Sequence, residues 1–268
     1  MNEILDRNIK DVIREFPALE QVLAEFSIGC TGCSLGTCQL KDIVEIHNLS
    51  FDHEQLLMKR IATIVYPGQA RTIPAIARKT QQKSNDTKLC PPLRELVDEH
   101  THIKRVLGLL PDLLKRSDLA PERRIVMTGE CIDFIRDYAD AFHHAKEEKI
   151  LFSYFDANSD IIASFVKEHE TGRSHVRAAR EGLAANDAAA MGQHLTAYAE
   201  LLAEHIKKED EILYPWMNRS LSDNQVGRLF SEFANVNSQF AEKTKSHVAR
   251  IARMEQTLAH KADPVNAA

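Results

Sequence analysis

Glycine and proline are scarce, at 10 and 9 of 268 residues, and strand-like alternation of apolar and polar residues is nearly missing. That scarcity argues against a loop-rich or β-sheet protein and for an all-helical one. Aromatic residues are few as well, at 6% with a single Trp, yet 44% apolar residues suffice for a sizeable core. No apolar run approaches the ~20 residues that cross a membrane, and the N-terminus lacks the apolar core of a secretion signal. The expectation is a soluble cytoplasmic protein with no membrane partner. The net charge of −5 is mild and both signs are mixed along the chain, so there is no basic footprint for nucleic acid. Cysteine is limited to five residues, three of them in the stretch Cys30 to Cys38, and an odd, clustered set is no secreted disulfide framework.

What is present is helical periodicity. Residues 1–66 read as short helices, with Ile9, Val12, Ile13, Phe16 and then Leu19, Val22, Leu23, Phe26 at helical spacing. A glycine-punctuated loop, Gly29 to Cys38, interrupts them. Residues 67–90 are polar and irregular and read as a tether between domains. From residue 91 to about 219 the pattern predicts four long antiparallel helices joined by short connections, an up-down bundle. Residues 220–262 predict a fifth helix packing on it, opened by the capping pair Ser222 and Gln225.

The bundle repeats internally. The first helix carries Leu93, Leu96, His100, Ile103 and Leu107 on one stripe, so a single His interrupts aliphatic residues. The second carries His143 and Glu147 four residues apart, about 40° apart on one face. The third repeats the single His, with His169 between Phe165 and Val176. The fourth repeats the pair, as His205 and Glu209. A buried His or Glu costs free energy unless it is paired, hydrogen-bonded or bound to metal. Alone, each has an ordinary reading as a core histidine or a surface pair. Six at matched places in two half-repeats point to metal. Four imidazoles and two carboxylates are too many donors for one tetrahedral zinc and too few oxygens for calcium or magnesium. They suit two ions of iron or manganese, with Glu147 and Glu209 spanning between them and oxo, hydroxo or water completing the shells.

These residues, with Glu99-His100, Glu147-Glu148, Ile150-Leu151-Phe152, Glu168-His169-Glu170 and Leu213-Tyr214-Pro215, resemble the hemerythrin-like, HHE cation-binding family over roughly residues 92–217. The resemblance implies a non-haem di-iron centre in a four-helix bundle, ligated by His100, His143, Glu147, His169, His205 and Glu209. Oxygen-carrying members have a fifth His one turn along the third helix. Here that position is Arg173, so the pattern looks more like members that respond to nitric oxide and repair iron-sulfur centres. The span from Ile4 to Met58 is similar to small cysteine domains that precede such relatives.

The neighbours carry weaker readings. His144 and Glu148 form an alternative pair expected to be solvated, and His102 and His175 are expected at the surface. Tyr198, roughly 10 Å along its helix from His205, and His194, roughly 16 Å from it, face inward. They are expected to line a channel or support the ligands from outside, with core packing the plainer alternative for Tyr198. Cys131 reads as a packed thiol. Cys30, Cys33 and Cys38 are open to a redox pair, a secondary metal site or a structural loop. Three functions follow. The first is a di-iron protein binding or sensing oxygen or nitric oxide, whether or not it is an enzyme, as a monomer or a homodimer. The second is an iron donor or protector for iron-sulfur proteins, with a redox partner. The third is a metal-free interaction bundle.

Overall fold

The computed structural model describes residues 2–26, 28, 38–47, 49–68, 88–156 and 159–259. Cys30, Cys33 and most of the expected tether lie outside the described residues. Among the described residues the structure is helical, with an isolated bridge between Asn8 and Gln39. No helix among them is long and apolar enough to cross a membrane. The chain divides into two compact units. The first gathers Met1–Lys88, Asn158–Phe165 and Glu211–Leu221, and the second gathers Leu89–Ala157, Val166–Asp210 and Ser222–Ala268.

In the first unit, α1 (Asn2–Leu5), α2 (Ile9–Glu15), α3 (Ala18–Glu25), α4 (Ile43–Ile46) and α5 (Phe51–Val65) are too short to persist alone. Their apolar stripes share one core that includes Ile9, Val12, Leu19, Leu23, Leu40, Val44, Leu57 and Ile61. Asn8 caps α2 by accepting from the Lys10 amide at 2.8 Å, and Ser50 caps α5 by accepting from the His53 amide at 3.2 Å. The backbone amide of Ile9 donates to the Cys38 carbonyl at 2.9 Å, which ties the half-buried Cys38 to the start of α2. At the end of α4, Arg219 donates to the carbonyls of Glu45 and Ile46 at 3.3 and 3.2 Å, satisfying groups the helix leaves open.

In the second unit, α6 (Pro91–Lys115) packs against α7 (Pro121–Phe134) and, further along the chain, against α10 (Ala188–Lys208) and α12 (Asp223–Ala259). Along the chain between these lie α8 (Ala145–Lys149) and α9 (Asp160–Ala184), of which residues 160–165 fall in the first unit, as does α11 (Tyr214–Ser220). The core joins Ile103, Val106 and Leu110 to Phe134, Val176, Leu195, Leu202, Ile251 and Met254. Cys131 lies inside it with its Sγ 3.8 Å from the Met254 sulfur, and burial pushes its thiol pKa up to about 12, so it packs as an inert group. Ser222 and Gln225 form the expected reciprocal cap of α12.

The helices that carry the His-Glu pairs are not continuous α-helices. Ile135–His144 is a π-helix between α7 and α8, and Glu209–Leu213 is a π-turn between α10 and α11. Each wide turn shifts the face presented by the residues around it, and such turns concentrate at functional positions.

The connection from α9 to α10 is set by a single residue in the left-handed region. Asn186 has φ 55°, the Asn186 amide donates to the Leu183 carbonyl at 3.2 Å and the Asp187 amide to the Gly182 carbonyl at 2.8 Å. This is a Schellman end, after which Asp187 at once caps α10 by accepting from Ala189 and Ala190. The close crossing leaves no room at Gly182, where a Cβ would lie 2.8 Å from the Met191 amide nitrogen and 3.2 Å from its Cα.

Gly182→Ala is expected to destabilise the chain by about 1–3 kcal/mol in denaturant unfolding, because the obstructing atoms are backbone; an unchanged midpoint would contradict the crossing. In the first unit, burial and then the Arg219 guanidinium hold the His47 imidazole below its usual 6.5. The unfolded chain therefore takes up that proton first, so stability is full above pH 6.5 and falls as pH drops below it. Protection factors of the α4 amides, corrected for intrinsic exchange, should fall as pH drops from 7.5 to 5.5, and less so in His47→Gln.

Candidate metal centre

The six residues singled out by the internal repeat lie together inside the second unit. His100, His143, Glu147 and Glu209 are 0% exposed, His205 1% and His169 2%. The Nε2 atoms of His100 and His143 are 3.0 Å apart, and those of His169 and His205 are 2.9 Å apart. Glu209 spans the two pairs, with one oxygen 3.0 Å from His205 Nε2 and the other 3.2 Å from His100 Nε2. Glu147 spans them from another side, its Oε2 lying 3.7 Å from His143 Nε2 and 3.5 Å from His169 Nε2.

Each imidazole is fixed through its other nitrogen. His143 Nδ1 donates to Glu99 at 2.9 Å, His169 Nδ1 to Glu148 at 2.6 Å, His205 Nδ1 to Glu168 at 2.8 Å and His100 Nδ1 to Asp210 at 2.7 Å. A carboxylate only accepts, so these bonds place the proton on Nδ1 and turn the lone pair of each Nε2 toward the centre. Every one of these carboxylates has its own cation: Lys146 on Glu99, Arg173 on Glu148 at 2.7 Å, Lys208 on Glu168, and Lys104 on Asp210 at 2.8 Å. Lys146 is itself 0% exposed. Its charge is shared with Glu95 at 2.7 Å and Asn237 at 3.2 Å, and it lies over the rings of Phe142 and Phe233.

The electrostatics call for positive charge in each pair. Burial holds His143 and His169 well below the usual imidazole value, with the charge of neighbouring histidines acting in the same direction. Burial is also the largest influence on His100 and His205. There, Glu209 together with Asp210 or Glu168 outweighs it, raising His100 and pushing His205 up to about 9. The carboxyl of Glu209 opposes its own burial through His205 and His100 and stays well below the usual range. In each half, then, the Glu209 carboxylate favours positive charge beside one imidazole while burial disfavours it on the other.

The donor set fits metal. Two nitrogens bound at right angles to one ion, with bonds of about 2.0–2.1 Å, lie about 2.9 Å apart. Both Nε2 pairs have that separation. His100, His143 and Glu209 bring ligand atoms within 4.8 Å of one another, as do Glu147, His169 and Glu209.

Three readings of the neighbours are corrected. His144 is not solvated but 5% exposed, its ring stacked on that of His169 with centroids 3.9 Å apart at 15°. The reason is the π-helix ending at His144, which carries two successive histidines to the inside where an α-helix would send one of them out. His144 also belongs to a third group of close donors, with His169 and His205. Glu148, expected in solvent beside it, is half-buried on His169. His194 stands apart from the centre, its Nδ1 meeting that of His175 at 3.2 Å, whereas Tyr198, 2% exposed, lines a cavity beside His144 and His169. Of the cysteines, Cys38 lies in the first unit and Cys30 and Cys33 lie outside the described residues.

The part these carboxylates and cations play in holding the histidines was not read from the sequence, although a signal was present. Both halves place a Glu just before the lone His and a Lys three residues after the paired one, as Glu99 and Lys146, and as Glu168 and Lys208.

Taken together, an antiparallel helical bundle encloses a repeated set of imidazoles and carboxylates whose close groups could hold metal. Residues 92–217 match the model of the hemerythrin HHE cation-binding domain. No curated protein and no solved structure gives a significant match.

Glu168→Gln removes the charge that holds both His205 and Lys208. It should weaken metal binding about 10- to 100-fold in chelator competition while leaving helicity intact. Equal affinity in the two proteins would show that the carboxylate does not support His205.

Proposed function

We infer that the domain is a non-haem di-iron site that binds or senses a diatomic ligand, oxygen or nitric oxide. The reading rests on the facing Nε2 lone pairs. At 3.0 and 2.9 Å they repel unless a proton or an ion lies between them, and the Nδ1 bonds leave no other orientation. His100 and His143 would hold one ion and His169 and His205 the other, with Glu147 and Glu209 reaching both. A nitrogen and oxygen donor set of this size favours iron over a closed zinc site, with manganese the other candidate. A reduced iron pair would supply the electrons and the open positions that a diatomic needs. The chain itself buries the six ligands to 0–2% exposure and fixes the imidazoles through the carboxylates.

A second reading, an iron donor or protector for damaged iron-sulfur clusters, is favoured by Arg173. It stands one turn after His169 and is committed to Asp140, Glu148 and Glu170. No imidazole fills that position, which departs from the oxygen-carrying pattern. Loss of cluster restoration in Cys30→Ser with Cys33→Ser would support this reading over simple ligand binding.

Metal analysis of anaerobically purified protein should give two irons per chain, with a spectrum that changes on adding oxygen or nitric oxide. Glu147→Ala should lower the iron content and abolish the change. A metal-free protein, or one tightly bound zinc, would overturn the di-iron reading.

A further inference from the structure

A cavity of about 260 Å³ opens beside the His169 side of the centre. By the volume water occupies in the liquid, that is roughly eight water molecules, more room than a diatomic needs. Its buried lining includes His144, His169 and Tyr198, while Arg136, Arg177 and Arg180 are exposed residues of the same lining and Arg173 is half-buried.

Two features of this lining remain unused by the centre. Its charge is cationic: four guanidinium groups face Asp140 and Glu168, and both carboxylates are already engaged. Asp140 accepts from Arg173 at 2.8 Å, and Glu168 holds His205 and Lys208. Arg177 and Arg180 are tied to no carboxylate among the described residues. The second feature is at the buried end. The Tyr198 hydroxyl, in a residue 2% exposed, has no hydrogen-bond partner, and neither does His144 Nδ1, which lies 3.6 Å from the nearest oxygen of Asp140. A buried hydroxyl without an acceptor is unfavourable and uncommon. A neutral diatomic uses neither the arginines nor a hydrogen-bond donor of this strength. A small anion uses both, because guanidinium groups raise its local concentration and the hydroxyl donates to it in a place of low dielectric.

We propose that this cavity is a binding site for a small inorganic anion, drawn in by Arg177 and Arg180 and held at its base by the Tyr198 hydroxyl beside His144. The site is built from the π-helix that follows α7, from α9 and from α10, and goes beyond the diatomic reading without depending on it. Its width is limited by Gly172, where an added Cβ would lie 3.4 Å from the Tyr198 ring.

The test is calorimetric titration of the full chain with nitrite, at low ionic strength, in metal-free and iron-loaded forms. Nitrite should bind the metal-free chain, more weakly as ionic strength rises. The double variant Arg177→Ala with Arg180→Ala should weaken it about tenfold or more, and Tyr198→Phe, which keeps the ring and removes only the hydroxyl, severalfold. Gly172→Ala should weaken it by narrowing the cavity. Failure of nitrite to bind the metal-free chain overturns the proposal. So does binding that these variants leave unchanged, or binding that appears only with iron, since the anion would then be held by the metal and not by the cavity. If metal analysis finds no iron but nitrite still binds in the predicted order of variants, the di-iron reading falls and this one stands.

Discussion

Four carboxylate–imidazole bonds form a closed ring through the bundle, and the placement of everything else in the centre depends on them. Glu99 of α6 holds His143, which follows α7; Glu148 of α8 holds His169 of α9; Glu168 of α9 holds His205 of α10; and Asp210, just after α10, holds His100 of α6. Each helix gives a carboxylate to the next and receives one from the last. The charges that make this possible are expensive to bury, and none is left alone. Breaking one link strands a buried carboxylate or ammonium, a change of several kcal/mol where both partners are inaccessible. Lys146, enclosed by Glu95, Glu99 and Asn237, is the clearest such case.

The same ring explains why part of the centre was legible along the chain and part was not. Periodicity marks which residues of one helix face inward, so His100 among leucines and the His-Glu pairs of two helices stood out before any coordinates. The links of the ring join different helices, and no spacing within a helix reports them. Glu148 and Asp210 sit one residue past an inward Glu, which a 3.6-residue period assigns to the flank, and the flank is where they reach the neighbouring histidine. His144 escaped for another reason. The period assumed for its helix is wrong there, because the chain takes a π-helical turn whose extra residue brings His143 and His144 to one side. The two compact units were hidden as well, since the first combines the N-terminal segment with two short pieces that begin 70 and 123 residues beyond its end. What sequence did carry in full was local chemistry, as in Ser222 with Gln225 at the start of α12.

The C-terminal helix belongs to the site and is more than an appendage. Asn237 donates to Glu95 at 2.8 Å and accepts from Lys146, and the Phe233 ring lies under the same ammonium group. Through Lys146 and Glu99 this contact reaches the Nδ1 of His143. Packing of α12 on α6 therefore fixes one imidazole of the centre as well as burying Ile251 and Met254.

That contact breaks the symmetry which the repeated halves would otherwise have. Around His143 the surroundings are shut, with aromatic rings and a fully enclosed ammonium group. Around His169 they open on a cavity, with a loosely tethered imidazole on one wall. The cavity lining includes His169 but neither His100 nor His143. A small molecule that enters this cavity thus meets the His169 half first. The two repeated halves therefore differ in access, one lying against the cavity and the other sheltered from it.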